Sequence, residues 1–381
     1  MSFLTVAINI FNRVVPKRNY ILFNSYPNIC DNAYELYCYI VENRHDLIEN
    51  NCIIWAVDGK TALNNVKIHP KTTIVEKKSI KGIWTFLRAK YVVSTHGYFR
   101  HIKSGNGQLQ VNLWHGCGYK TLTPADRGYR GDITIVTSNA YKGIFSNLFD
   151  ISERNVFVTG YPRNDILFSD KKILGKLNIE KRKYKKVIIW MPTYRKAALG
   201  HDGVDGSAKS FLASNLSKNE CIKLNERLNS CGYYMIIKPH PMDAMTLEKF
   251  NDMSNINCIT TEQLQKKGIS LYELLANTDV LLSDYSSVII DYLLLDRPIA
   301  MVLSDVEEYQ NNRGFLFEPV EDYFPGPIIS NFDMLLEYLS RMDSVNSKWE
   351  KKRKQLKHFM HKYDDDKSSE RVANAIWGDK K

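Results

Sequence analysis

Five short polar motifs in this sequence each follow an apolar run. They are Trp114-His115-Gly116, Thr159-Gly160-Tyr161-Pro162-Arg163-Asn164-Asp165, Met191-Pro192-Thr193-Tyr194-Arg195, Lys238-Pro239-His240-Pro241 and Ser283-Asp284-Tyr285-Ser286-Ser287. Their residue types suit proton transfer beside a phosphate. His115 and His240 are imidazoles, which exchange protons near neutral pH. Arg195 offers a planar fork that binds phosphate in two places, which a lysine cannot copy. Ser286 and Ser287 stand where a buried strand gives way to a helix. Free N–H groups and the positive end of a helix dipole make a seat for an anion there. Asp284 or Ser286 is suited to cap the same helix with a side-chain oxygen.

Strands and helices in alternation must position these residues. Tyr20–Phe23, Cys52–Val57, Tyr91–Ser94, Val111–Trp114, Ile133–Thr137 and Val156–Thr159 read as strands. After the Lys-rich stretch Lys171–Lys186, a second series follows: Val187–Trp190, Tyr233–Ile237, Asn257–Thr260, Val280–Leu282 and Ile299–Leu303. This alternation predicts two α/β units, each with a parallel sheet. In such sheets ligands bind beyond the carboxyl ends of strands, where the five motifs fall.

At 381 residues the chain is long enough for two domains of Rossmann size. The Lys-rich stretch has a linker's composition and sets the expected boundary. The formal charge of +10 favours anionic partners: nucleic acid, phospholipid headgroups and phosphorylated substrates all qualify. Seven cysteines are scattered without a CxxC pair or metal-ligand spacing, as for reduced thiols in a cytoplasmic protein. No apolar run approaches the roughly 20 residues that span a bilayer. Residues 3–15 are amphipathic and run into Pro16-Lys17-Arg18, which suits a helix lying on an anionic membrane surface or packed on its own domain.

As an ordered set, WHGCGYKTL (114–122), TGYPRNDIL (159–167), MPTYR (191–195), IKPHP (237–241) and SDYSSVIIDYLLLDRPI (283–299) resemble the serial motifs of the CDP-glycerol glycerophosphotransferase family. That family comprises teichoic acid glycerol-phosphate primases and polymerases with related capsule polymerases. PKRNYILFNSY with Asp31-Asn32, RGFLFEPVEDYFPGPI (313–328) and YDDDKSSERVANAI (363–376) extend the resemblance over nearly the whole chain. The sequence departs from the family's usual WHGTPLK at Cys117-Gly118-Tyr119, which bears on the acceptor pocket.

The resemblance implies an α/β, GT-B-like fold of two Rossmann-like domains facing a central cleft. Residues 1–175 would bind the acceptor and 176–340 the CDP donor, and 341–381 would supply a C-terminal helix crossing back to the first domain. It implies attack of an acceptor hydroxyl on CDP-glycerol with release of CMP. His115 takes the acceptor proton; His240, Arg195 and Thr193 grip the diphosphate, with Ser286, Ser287 and the capping Asp284 beside them. Lys238, Glu308 and Arg313 are candidates for support, while Arg163 and Asp165 read mainly as a clamp between the units. The run Asp364-Asp365-Asp366 reads as a solvated helix start, and no cofactor or metal is expected. The expected partners are CDP-glycerol, an undecaprenyl-type lipid-linked glycan and an anionic membrane surface, with no nucleic acid. The place is the cytoplasmic face of the membrane, as a peripheral protein. A single-addition primase is favoured over a polymerase, a CDP-ribitol enzyme or a GT-B sugar-nucleotide glycosyltransferase. A non-catalytic basic membrane- or polymer-binding protein stands last.

Overall fold

The computed structural model describes residues 3–59, 66–96, 99, 101–121, 131–192, 211, 213–239 and 247–378. The chain divides into two compact units. One comprises Met1–Cys117, Leu122–Ile166 and Met360–Lys381; the other comprises Gly118–Thr121 and Leu167–Phe359.

The first unit is built on β1 (Arg18–Asn24), β2 (Cys52–Val57), β3 (Thr73–Glu76), β4 (Ala89–Ser94), β5 (Leu109–Asn112), β6 (Ile133–Val136) and β7 (Val156–Val158). All pair in parallel, in the order β3-β2-β1-β4-β5-β6-β7. The second unit is built on β8 (Lys186–Met191), β9 (Tyr233–Ile237), β10 (Ile256–Cys258), β11 (Val280–Ser283), β12 (Ile299–Val302) and β13 (Ile328–Ile329). These are parallel too, ordered β10-β9-β8-β11-β12-β13. Every residue of β9, β11 and β12 is buried, because helices cover both faces of a parallel sheet and each strand must then be apolar throughout.

In each sheet the chain winds outward one way, returns to the middle and winds out the other way. The reversal falls between β1 and β4 in the first unit and between β8 and β11 in the second. At such a point the loops leave neighbouring strands in opposite directions, which opens a crevice at the strand ends.

Two local differences from the sequence reading have clear causes. The run Val111–Trp114 stops being a strand at Asn112, whose Oδ1 accepts the Trp114 N–H at 2.9 Å and turns the chain. β3 and β13 were not expected. They are four and two residues long, too short to show a strand period.

The last helix, Ser368–Trp377, belongs to the first unit and packs on the helix Asp31–Asn43. Asp165 seats it. Its two carboxylate oxygens accept the Ser368 and Ser369 N–H groups, each at 2.8 Å, which meets two otherwise unpaired donors of the helix start. Arg371 donates to the Thr159 carbonyl at 2.8 Å and pairs in two places with Asp365 at 2.8 and 3.0 Å. Asp365 also accepts the Lys367 N–H, so this member of the 364–366 acidic run serves the entry to the helix. Gly160 has φ +79°, which favours glycine, and a Cβ there would lie 2.5 Å from Ser368 Oγ, so a side chain would displace that hydroxyl.

Candidate active site

In the first unit the site is built at the ends of β4 and β5. Trp114 takes φ +51° and Gly116 φ +132°, a pair of unusual backbone angles that present His115 between them. Trp114 is buried and packs on Phe149 at 5.0 Å between ring centres, which anchors the turn from below.

The carbonyls of this turn are held one by one. Asn32 Nδ2 donates to the Leu113 and Trp114 oxygens at 3.3 and 3.0 Å. Arg163 donates to the His115 oxygen at 3.0 Å and to Asp31 Oδ1 at 2.8 Å, and its own N–H reaches Asn32 Oδ1 at 3.2 Å. Asp31-Asn32 and Arg163 therefore form one buried brace beneath His115. The bonds shown for Arg163 and Asp165 stay within the first unit, so they do not bear out a clamp between the two units. Arg163 stiffens the His115 turn, and Asp165 holds the final helix.

The His115 ring lies against two others. It is 4.0 Å from the Trp114 ring and 4.5 Å from His96, which stacks on it at an interplanar angle of 12°. His96 follows β4, and Tyr26, which follows β1, meets its edge at 5.8 Å. Burial, with the neighbouring His115, pushes His96 down to about 4. Tyr26 closes the PKRNYILFNSY stretch without having been given a role, and His96 did not stand out in the sequence, although it lies two residues past an apolar run recognised as a strand.

In the second unit three motifs leave three adjacent strands, β9, β8 and β11. The register pairs Trp190 with Ile237 and Met191 with Ser283. Ser283 Oγ donates to the Met191 oxygen at 2.7 Å, and the Lys238 N–H to the Trp190 oxygen at 2.9 Å. The strand ends bearing the PTYR, KPHP and SDYSS motifs are thus drawn together around the β8/β11 reversal. Thr193, Arg195 and His240 themselves lie outside the described residues.

Lys238 is buried, and its ammonium donates to Thr261 Oγ1 at 2.8 Å and the Pro239 oxygen at 3.1 Å. Burial lowers it to about 8. Its head is tied to the first turn of a helix and to its own loop, so it stabilises the segment leading into His240.

Ser286 and Ser287 are half-buried, and Ser286 Oγ accepts the Val288 N–H at 3.4 Å. The helix Val288–Tyr292 runs five residues before tightening into the 3-10 turn Leu293–Leu295. So short an element has a weak dipole, and an anion at this turn would meet hydroxyls and N–H groups more than the helix dipole that the sequence implied. Asp284 is buried directly before it.

Gly118 lies against this turn. A Cβ on Gly118 would be 3.3 Å from that of Ser287. The segment is fixed by Leu316 N–H to the Tyr119 oxygen at 2.7 Å and Thr121 N–H to the Gly314 oxygen at 3.0 Å. Gly314 and Leu316 therefore hold the Gly118–Thr121 segment, while the Arg313 N–H closes the end of the preceding helix on the Tyr309 oxygen at 2.8 Å. Glu308 is exposed on the preceding helix, Val306–Asn312. Among the described residues no group of three or more His, Cys, Asp or Glu is placed to hold a metal ion.

Known proteins with the same features form a coherent group. The family model for CDP-Glycerol:Poly(glycerophosphate) glycerophosphotransferase matches residues 7–378. The teichoic acid ribitol-phosphate primase of Bacillus spizizenii is 28% identical over 70% of this chain and 69% of its own length. The teichoic acid ribitol-phosphate polymerase TarL of Staphylococcus aureus is 29% identical, and the match spans 51% of it. The teichoic acid glycerol-phosphate transferase of Staphylococcus aureus is 24% identical over 95% of this chain and 94% of that protein. The solved wall teichoic acid polymerase TagF superposes with a TM-score of 0.75 at 24% identity, covering 98% of this chain and 91% of that one. That likeness, with two parallel sheets each reversing at its centre, shows the expected α/β, GT-B-like fold. The chain belongs to the CDP-glycerol:poly(glycerophosphate) glycerophosphotransferase family, the polyol-phosphate transferases of teichoic acid synthesis.

Proposed function

We propose that this protein moves glycerol phosphate from CDP-glycerol to a hydroxyl of a membrane lipid-linked teichoic acid or capsule precursor. The acceptor oxygen attacks the glycerol-bearing phosphorus, its proton passes to His115, and the bond to the CMP phosphate breaks. His240, Arg195, Thr193 and the Ser286–Ser287 turn receive the charge that grows on the leaving CMP. Protein cations do this work, with no resident metal or other cofactor. The observation that carries the reading is the His115 turn. Three consecutive carbonyls are bonded to Asn32 and Arg163, the rigidity a proton acceptor needs if it is to meet a hydroxyl in one geometry. A TagF variant soaked with CDPG has the same fold as this chain, with a TM-score of 0.75.

The favoured product is a single addition, as in a primase. Similarity to ribitol-phosphate primase and polymerases supports a second reading, in which CDP-ribitol is the donor. Purified protein given each donor in turn with a short lipid disaccharide is expected to release CMP from CDP-glycerol and to add one glycerol phosphate to the acceptor mass. Release of a nucleoside diphosphate would overturn phosphotransfer, CMP from CDP-ribitol alone would reassign the donor, and a ladder of masses would show a polymerase.

The acceptor's lipid would bring the protein to the cytoplasmic membrane face as a peripheral protein. Among the described residues no helix is long and apolar enough to cross a membrane. The helix Phe3–Val14, however, turns Val6, Ile10, Phe11 and Val14 outward, and it packs beside the helix Ile80–Arg88, which exposes Ile80 and Trp84. Arg13, Lys78 and Lys81 are exposed around these apolar groups, as an anionic interface requires. In vesicle sedimentation, wild type is expected to bind phosphatidylglycerol liposomes. The Ile10→Ser/Phe11→Ser variant is expected to bind about tenfold or more weaker, since each apolar side chain contributes roughly 1.5–3 kcal/mol when buried. Equal binding by both would remove this surface from the proposal.

A further inference from the structure

We propose that His96 is a positioning residue for the reaction: its ring, stacked on that of His115, fixes the plane in which His115 meets the acceptor hydroxyl. This rests on the reading of His115 as proton acceptor. Three observations carry it. The two rings are almost parallel, at 12° and 4.5 Å. His96 is itself held, with Nδ1 2.9 Å from Thr95 Oγ1 and the Tyr26 ring at its edge. Finally, both Tyr26 and His96 leave the strands β1 and β4 that flank the sheet's reversal, the place where a parallel sheet opens for a ligand.

The stack works only if the two rings divide the proton between them unequally. Two imidazolium rings in face-to-face contact repel each other, so one must stay neutral when the other is charged. Four groups set the balance at His96. His115 on the turn after β5, Arg163 after β7 and Lys77 after β3 disfavour its charge, and Asp31 on the helix Asp31–Asn43 favours it. Burial adds to the first three and is the largest influence, so that His96 is held down to about 4 and gains its proton only below that. At neutral pH His96 therefore presents a neutral aromatic face. When His115 takes the acceptor proton, that face lies against the new cation, an arrangement rings favour.

The test is kinetic and spectroscopic on the whole protein. His96→Ala is expected to lower kcat about tenfold with the KM for CDP-glycerol unchanged, since the ring orients a base and does not bind the donor. His96→Phe restores a stacked face without a titrating group and is expected to recover most of the loss. Nitrogen-15 spectra of the nine histidines, assigned with His96→Phe and His115→Asn, are expected to show one imidazole that titrates only near pH 4. They are also expected to show a His115 signal that broadens in His96→Ala and sharpens in His96→Phe. His96→Ala and His96→Phe both turning over like wild type, with His115→Asn inactive, would overturn the inference alone. An active His115→Asn would overturn the reading beneath it as well. A His115 signal indifferent to both His96 variants would overturn the stack as an orienting contact.

Discussion

His115→Asn is expected to lower the rate of CMP release by about 10²–10⁴-fold, the range over which a positioned general acid or base acts. The fold should be untouched, because the brace binds the main-chain oxygen of residue 115 and not its ring. Asparagine also keeps a polar side chain in a half-buried place. The variant should therefore melt close to wild type and still bind CDP-glycerol, since the groups proposed to hold the donor belong to the second unit. Turnover is read from CMP release at saturating donor, and binding from calorimetry. A variant that turns over within a few-fold of wild type would remove His115 from the chemistry. One that loses donor binding in step with activity would move it to the donor side.

The second large effect is expected at Arg163, where stability and activity can be separated. The guanidinium and Asp31 are both largely buried, with side-chain exposures of 7% and 17%. Arg163→Met leaves the Asp31 carboxylate without its 2.8 Å partner, and breaking such a pair from one side costs about 3–5 kcal/mol. Urea unfolding should show that loss. The double variant Asp31→Asn/Arg163→Met removes the stranded charge and should recover much of it. Activity should not return with stability, because the His115 oxygen still lacks its donor and the turn is free to shift. If activity recovered fully with stability, Arg163 would be a packing residue only. If the single variant were as stable as wild type, the buried pair would not be a brace.

These expectations also mark the division between what could be read along the chain and what could not. Cys52–Val57 and Tyr233–Ile237 were legible residue for residue, because strands buried on both faces are unbroken apolar runs. The motifs at their ends were legible as polar interruptions, and their order along the chain carried the resemblance that gave His115 a role. The short edge strands β3 and β13 were not, since their place depends on the ladder they join and not on a side-chain pattern of their own.

Sequence by itself determined the two α/β units, the motif set and the family. Only the tertiary structure decided which motif residues act together. Asp165 finds its partners 203 and 204 residues further on, at the start of the last helix. Arg163 meets a helix 132 positions earlier in the chain. His96 belongs to no motif, and its contact with His115 exists because β4 and β5 are neighbours in the sheet. Local patterns record which face of an element is buried; neighbours across a sheet are fixed by the order in which strands assemble, a cooperative property that no short stretch of residues encodes.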